Sequence, residues 1–178
     1  MILLWFACTR VTLPVEAPTP ARTPVAGTAS DDRRSPLPPF SGVDREQARY
    51  VGSEVCSACH PDAQAVWAGS GHSGAMNTLA EHKAAYNPDC VRCHSTGFGY
   101  PSGYKTTKDA TLAAVGCEAC HGPGSGHIVA PAPGYGSLGR DGTACVGCHQ
   151  PDNSPDFSFD AYWASILHDR AAAPPAGG

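Results

Sequence analysis

The sequence predicts a small, mainly α-helical domain with extensive loops and a core that side chains alone do not fill. Of the 178 residues, 20 are glycine and 17 are proline, so much of the backbone is expected in turns and loops. Only 8% of the residues are aromatic and 42% are hydrophobic, which gives a small side-chain core for this length. No segment alternates apolar and polar residues as a strand would. These observations favour one helical domain built around bound apolar groups.

A short motif with two cysteines and a histidine occurs four times and indicates what those groups are. Each copy reads Cys-x-x-Cys-His, and the four histidines are His60, His94, His121 and His149. This is the attachment signature of c-type haem, in which both cysteines bond to the macrocycle and the histidine binds the iron. We therefore predict four covalent haems c that form the core of a small multihaem cytochrome c fold. The attaching cysteines are Cys56, Cys59, Cys90, Cys93, Cys117, Cys120, Cys145 and Cys148.

Two other chemistries use paired cysteines. Cys-x-x-Cys pairs build zinc sites, and a single pair can be a thioredoxin-like redox centre. Neither chemistry requires a histidine directly after the second cysteine in every copy. The recurrence of the full motif therefore favours haem.

The N-terminal residues resemble the end of an export signal. Residues 1–8 are mostly apolar and end at Cys8, so we interpret them as the remnant of an export signal or lipoprotein signal. Two interpretations of this segment are open. Cys8 carries a lipid, or the segment is an ordinary secretory signal in which the cysteine is incidental. Haem is attached to cysteines outside the bacterial cytoplasm. The protein is therefore expected to be exported, and to be periplasmic or on the outer surface of the envelope.

Three segments follow the export signal. Residues 9–48 are rich in proline and alanine, which predicts an extended, disordered tether. The tetrahaem domain is predicted over 49–170, and residues 171–178 are predicted to be a flexible tail.

The domain is expected to contain three helices separated by loops. The first covers 61–67 and begins with a proline. The second covers 75–86 and ends at Asn87-Pro88; its predicted apolar face is Ala75, Leu79, His82 and Tyr86. The third covers 160–170, with Asp160 as its N-cap. Residues 95–109 and 122–143 are predicted to be loops.

Four histidines remain as candidates for the second axial position of the haem irons. Methionine is the other common ligand there, but the only methionine after the first residue is Met76. His72 and His127 lie in glycine-rich runs, where a macrocycle can approach closely, and His168 is expected on the last helix beside small residues. We predict these three as iron ligands. Whether His82, which lies between Glu81 and Lys83, also binds an iron is left open.

Segments around the motifs resemble the tetrahaem cytochrome c554 family of ammonia oxidisers, and the resemblance covers about residues 50–169. It is carried by Tyr50-Val51-Gly52 before the first motif, by Trp67-x-x-Ser70-x-His72, and by Cys93-His94-Ser95-Thr96-Gly97-Phe98. The run 116–127 and the ending Phe157-x-Phe159…Trp163…Ile166-x-His168 add to it. The resemblance implies that His72, His127 and His168 are distal ligands of three haems. It also implies that the haem of Cys90, Cys93 and His94 is five-coordinate.

The expected function is electron transfer by a low-potential, mostly bis-histidine carrier of the cell envelope, with donor and acceptor proteins as its partners. An oligomer is possible. The net charge of −4 comes without a basic stripe, which argues against nucleic acid as a partner. Two alternatives are open: a redox enzyme acting on small nitrogen oxides or hydroxylamine at one open haem, and a subunit of an extracellular haem filament. No catalytic residue is predicted from the sequence.

Overall fold

The computed structural model describes residues 34–36 and 47–168, and this part of the chain contains helices and loops but no strand. The mainly α, loop-rich class is therefore confirmed. The helices are α1 (Ser53–Cys56), α2 (Pro61–Ala68), α3 (Ala75–Glu81), α4 (Pro88–His94), α5 (Cys117–His121), α6 (Ser125–Val129) and α7 (Phe159–Ile166). A 3-10 helix, Ala110–Leu112, lies between α4 and α5.

The side-chain core is small and centres on the contact between α3 and α4. It includes Met76 and Leu79 of α3 and Val91 of α4, all of which are buried. Three tyrosines and Leu112 complete the cluster: Tyr50, Tyr100 and Tyr104. Met76 is thus a core side chain and packs with the two other helical residues.

Helix α3 is shorter than predicted. It ends at Glu81, because Lys83 adopts a left-handed backbone with φ 56°. The Ala84 N–H then donates to Leu79 O and the Lys83 N–H to Ala80 O, which is the Schellman pattern of a helix C-terminus. The predicted apolar face is wrong in its second half, since His82 is exposed and Tyr86 is 83% exposed.

The dipeptide Asn87-Pro88 begins a helix as well as following one. Asn87 is the N-cap of α4, and its side chain accepts a hydrogen bond of 3.0 Å from the Asp89 N–H. Pro88 occupies the first helical position, where a missing N–H costs nothing. This start places the second haem motif on α4.

Three further predictions about helices are wrong. Residues 122–143 are not all loop, because α6 lies within them and carries His127. Helix α7 begins at Phe159 with Ser158 at its N-cap, so Asp160 is not the cap. His168 lies two residues beyond the last helical residue and not on the helix as predicted.

Two residues of the predicted tether, Arg34 and Ser35, pack on the domain. The Ser35 N–H donates to Phe98 O at 2.8 Å, and the Phe98 N–H donates to the Ser35 hydroxyl at 2.9 Å. The guanidinium of Arg34 lies 5.0 Å from the centre of the Tyr100 ring. Residues 9–33 and 37–46 of the tether, the segment ending at Cys8, and residues 169–178 lie outside the described part of the chain. Within the described ranges, no helix has the length and apolar character needed to cross a membrane.

Candidate haem-binding site

Each haem motif forms about one helical turn, which explains how its cysteines and histidine come together. The first motif begins at the end of α1, the second and third lie on α4 and α5, and the fourth is a turn between α6 and α7. In the first and fourth motifs the histidine N–H donates to the carbonyl of the first cysteine at 2.9 Å. The turn sets the two sulfur atoms near one another and directs the imidazole to one side. We number the motifs 1 to 4 in chain order.

A buried carboxylate connects motif 3 to the chain before motif 1. Glu118 is only 2% exposed and accepts hydrogen bonds from the backbone N–H groups of Val51, Gly52 and Gly124, at 2.7 to 3.0 Å. Burial raises the pKa of Glu118, and the three backbone donors oppose that shift. The Cys117 N–H also donates to the Ser53 hydroxyl. These bonds hold α1 and α5 together.

Three of the motif histidines each face one of the predicted distal histidines. The ring centres of His60 and His127 are 6.2 Å apart, with an interplanar angle of 23°. His72 lies 6.1 Å from His149, at 50°. His168 lies 5.7 Å from His121, at 67°. The structure thus brings motif 1 together with His127, motif 3 with His168, and motif 4 with His72.

This separation fits an iron ion between the rings. An imidazole nitrogen binds a metal ion at about 2 Å and lies roughly 1 Å from its ring centre, so two rings that share one ion have centres about 6 Å apart. Rings in stacking contact or joined by a direct hydrogen bond would lie closer. Groups of three or more His, Cys, Asp or Glu side chains suited to a metal ion are absent from the described residues. Two opposed imidazoles suit an iron whose other four ligands come from a macrocycle.

The motif 2 histidine has no such partner. Its Nδ1–H donates to Ala75 O at 2.8 Å, so Nε2 is the nitrogen that would bind an iron. No second imidazole makes a ring contact with His94 within residues 34–36 and 47–168. His82, the open candidate, is exposed at the C-terminal end of α3 and makes no ring contact in that part of the chain.

The other motif rings are oriented by contacts that sequence reasoning missed. The His121 Nδ1–H donates to Gly136 O at 2.8 Å, and His149 Nδ1 bonds the Ser154 hydroxyl at 3.2 Å. Phe157 stacks on His149, with ring centres 4.3 Å apart. Such contacts fix the orientation and the free nitrogen of a metal ligand. Gly136 adopts φ 61° and lies directly against His121, a position that leaves no space for a side chain. The sequence does not identify Gly136 as special, because this loop contains many glycines.

Two of the distal histidines have similar support. The ring of Tyr135 stacks on His127 at 4.8 Å, and the Tyr135 hydroxyl donates to Pro123 O at 2.5 Å. His168 Nδ1–H donates to Ile166 O at 2.8 Å. The Nδ1 atom of His127 is buried and has no hydrogen-bond partner among the described residues, so no such bond selects which of its nitrogens faces the iron.

The pKa shifts of three of these rings favour the neutral form that binds metal. Burial lowers the pKa of His72, and the nearby His149 lowers it further. Burial also lowers the pKa of His121; the bond to Gly136 opposes this, while His168 and His60 add to it. Burial and then His94 lower the pKa of His149.

The motifs lie next to one another in an order that differs from the chain order. The proximity of the Cys56 thiol lowers the pKa of Cys117 to about 6, which places motif 1 beside motif 3. The proximity of the Cys148 thiol lowers the pKa of Cys93 to about 7, which places motif 4 beside motif 2. Burial raises the pKa of Cys120 to about 11, with Cys145 of motif 4 as the next cause. The spatial order is therefore 1–3–4–2.

The chain is similar to known multihaem cytochromes over part of its length. The family described as "Cytochrome c554 and c-prime" matches residues 55–122, which is less than half of the chain and includes motifs 1 to 3. Cytochrome c-554 of Nitrosomonas europaea is 38% identical over 93 residues, which cover 43% of this chain and 40% of that protein. The C-type polyheme cytochrome OmcB of Geobacter sulfurreducens is 31% identical over 87 residues, 45% of this chain and 11% of that protein.

Among solved structures, the reduced state of cytochrome c554 from Nitrosomonas europaea is 35% identical, with a TM-score of 0.41. The match covers 46% of this chain and 47% of that one. The chain thus spans less than half the length of each relative that it matches. The repeated motif and the sequence relatives together show that the chain is a multihaem c-type cytochrome similar to cytochrome c554.

Proposed function

We propose that this protein is an electron carrier with four covalent haems, three of them bound between two histidines. The observation that carries the proposal is the set of three imidazole pairs with ring centres 5.7 to 6.2 Å apart. When bound, haem iron supplies one-electron oxidation and reduction. A pair of axial histidines leaves no coordination position for a substrate. Bis-histidine ligation also gives lower reduction potentials than a histidine–methionine pair.

In this proposal the chain's own residues hold the haems in the order 1–3–4–2. Haems 1, 3 and 4 have the ligand pairs His60/His127, His121/His168 and His149/His72. Haem 2 has His94 alone. The thiol contacts between neighbouring motifs support this order, since each cysteine marks one edge of its haem. Haems 1 and 2 are then the two ends of the array, where donor and acceptor proteins would meet it.

We further propose an exported protein of the cell envelope. Covalent haem attachment requires export, and the interpretation of residues 1–8 as a signal supports it. A carrier with net charge −4 favours partners with a basic docking surface. The haems bring additional propionate charges of the same sign.

Mass spectrometry of the denatured, purified protein tests the haem count. The expected mass exceeds that of the mature polypeptide by four haems that solvent extraction does not remove. Cys117→Ala with Cys120→Ala should reduce the number to three. A wild-type protein with one haem or none would overturn the proposal.

A second candidate function is supported by one observation: among the described residues, no imidazole makes a ring contact with His94. An open position at haem 2 could bind a small nitrogen oxide. An enzyme would also need proton donors above that position. Turnover of nitric oxide or hydroxylamine by the reduced protein, lost in His94→Ala, would support the enzyme. Tight binding of nitric oxide without turnover would support the carrier.

A further inference from the structure

Motif 2 contains a residue type that the other motifs lack at the same place. The position before the second cysteine is Ala58 in motif 1, Ala119 in motif 3 and Gly147 in motif 4, but it is Arg92 in motif 2. Small residues satisfy the turn in three of the four copies. The turn therefore does not need a long cationic side chain, and Arg92 calls for another explanation.

Arg92 lies at the junction of motifs 2 and 4. Arg92 directly precedes Cys93 in the chain, and its charge lowers the pKa of Cys93 and that of Cys148. These are the two cysteines whose side chains meet across the junction. Its Nε atom is buried and has no hydrogen-bond partner among the described residues. An arginine stays charged in proteins, and burying such a charge without full pairing is unfavourable.

The chemistry of the junction indicates what this charge does. Once both cysteines are thioethers, the guanidinium lies beside the attached edges of haem 2 and haem 4. Adding an electron to a haem makes the site more negative, and a nearby cation stabilises the reduced form. Solvent and salt screen a partly buried charge less than an exposed one. The other motif with an ionisable residue between its cysteines is motif 3, and there the residue is the acidic Glu118.

We propose that Arg92 is a potential-setting residue: its charge raises the reduction potentials of haems 2 and 4 relative to those of haems 1 and 3. Electrons that enter the array then collect at the haem 2–haem 4 half. This inference rests on the proposed four-haem carrier, and it gives that carrier a preferred direction.

A potentiometric titration of the full-length, four-haem protein tests the inference. Optical spectra count the electrons, and electron paramagnetic resonance separates haem 2, expected to be high-spin, from the low-spin haems. In Arg92→Gln, the reduction potentials of haem 2 and one low-spin haem should shift to more negative values. The potentials of the other two haems should equal those of the wild type. Arg92→Lys, which keeps the charge, should retain most of the wild-type potentials. Lys108→Gln removes an exposed positive charge and is the matched control.

Several results would overturn the inference. One is four unchanged potentials in Arg92→Gln; another is an equal shift of all four, as a change of net charge alone would give. If Arg92→Gln loses haem, Arg92→Met is titrated in its place. Failure of both variants to attach four haems, while Arg92→Lys attaches them, would assign the charge to assembly and also contradict a role in setting potentials. A wild-type protein with fewer than four haems would instead overturn the proposed function on which the inference rests.

Discussion

The three candidate distal histidines show at the residue scale why a position in the sequence does not reveal which motif a histidine faces. His72, His127 and His168 are separated by loops, and each faces a motif that is not the nearest one before it. His72 follows motif 1 but lies beside His149 of motif 4. The residue types were predictable from the count of histidines and the near absence of methionine. The pairing depends on tertiary contacts that no local pattern encodes.

Replacing one distal histidine should open one haem. In His127→Ala, haem 1 loses the ring that faces His60, so a second high-spin haem should appear beside haem 2. The reduced variant should then bind two equivalents of carbon monoxide, where the wild type binds one. Titration with carbon monoxide followed by difference spectroscopy measures the change. His82→Ala is the control and should behave as the wild type, because His82 is exposed and faces no motif histidine. A gain of one equivalent in His82→Ala, relative to the wild type, would show that His82 binds an iron and would contradict the assignment.

Glu118 should be a strong determinant of stability. In Glu118→Gln, an amide nitrogen replaces one acceptor oxygen and faces backbone N–H groups that also donate. At least one buried donor is left unpaired, which costs about 1–3 kcal/mol. Chemical unfolding followed by tryptophan fluorescence, with all four haems attached, gives the difference. The exposed residue Glu54 provides the control Glu54→Gln, which should change stability little. Equal changes in the free energy of unfolding for Glu118→Gln and Glu54→Gln would show that the buried hydrogen bonds of Glu118 do not stabilise the fold.

Among the secondary-structure elements, the starts of helices were easier to predict than their ends. Pro61 marks the start of α2 in both the sequence and the structure. The end of α3 was missed because it depends on Lys83 in a left-handed conformation, which usually calls for glycine or asparagine. Helix α6 was missed because Ser125-Gly126-His127 looks like loop by composition. Short helices of this kind are stabilised by what packs on them more than by their own propensity.

Helix α4 offers a test of one element, since it carries motif 2 and begins at a defined cap. Asn87→Ala removes the acceptor for the Asp89 N–H and should reduce stability by about 1 kcal/mol. Asn87→Ser, which can still cap, should lose only a fraction of that. Thermal unfolding followed in the Soret band compares the two. A similar loss in both variants would show that packing of Asn87, and not its cap, is what matters.

At the scale of the whole molecule, we propose that the haems follow the spatial order 1–3–4–2, which the chain order of the motifs could not have revealed. It predicts that haem 4 connects haem 2 to the haem 1–haem 3 pair. Cys145→Ala with Cys148→Ala removes haem 4 and should slow electron exchange between haem 2 and haem 3. Cys56→Ala with Cys59→Ala removes haem 1, which is at one end, and should leave that exchange unchanged. Flash photolysis or pulse radiolysis resolves the rates. Slower exchange in the second variant only would contradict the order.

The ligation state of the four irons in the wild-type protein tests the central claim most directly. Electron paramagnetic resonance of the fully oxidised protein, quantified by spin integration, counts low-spin and high-spin haems separately. Three imidazole pairs and an unpaired His94 predict three low-spin haems and one high-spin haem per chain. Four low-spin haems would show that another residue ligates haem 2. Two or more high-spin haems would show that the facing rings do not bind iron, and would contradict the account.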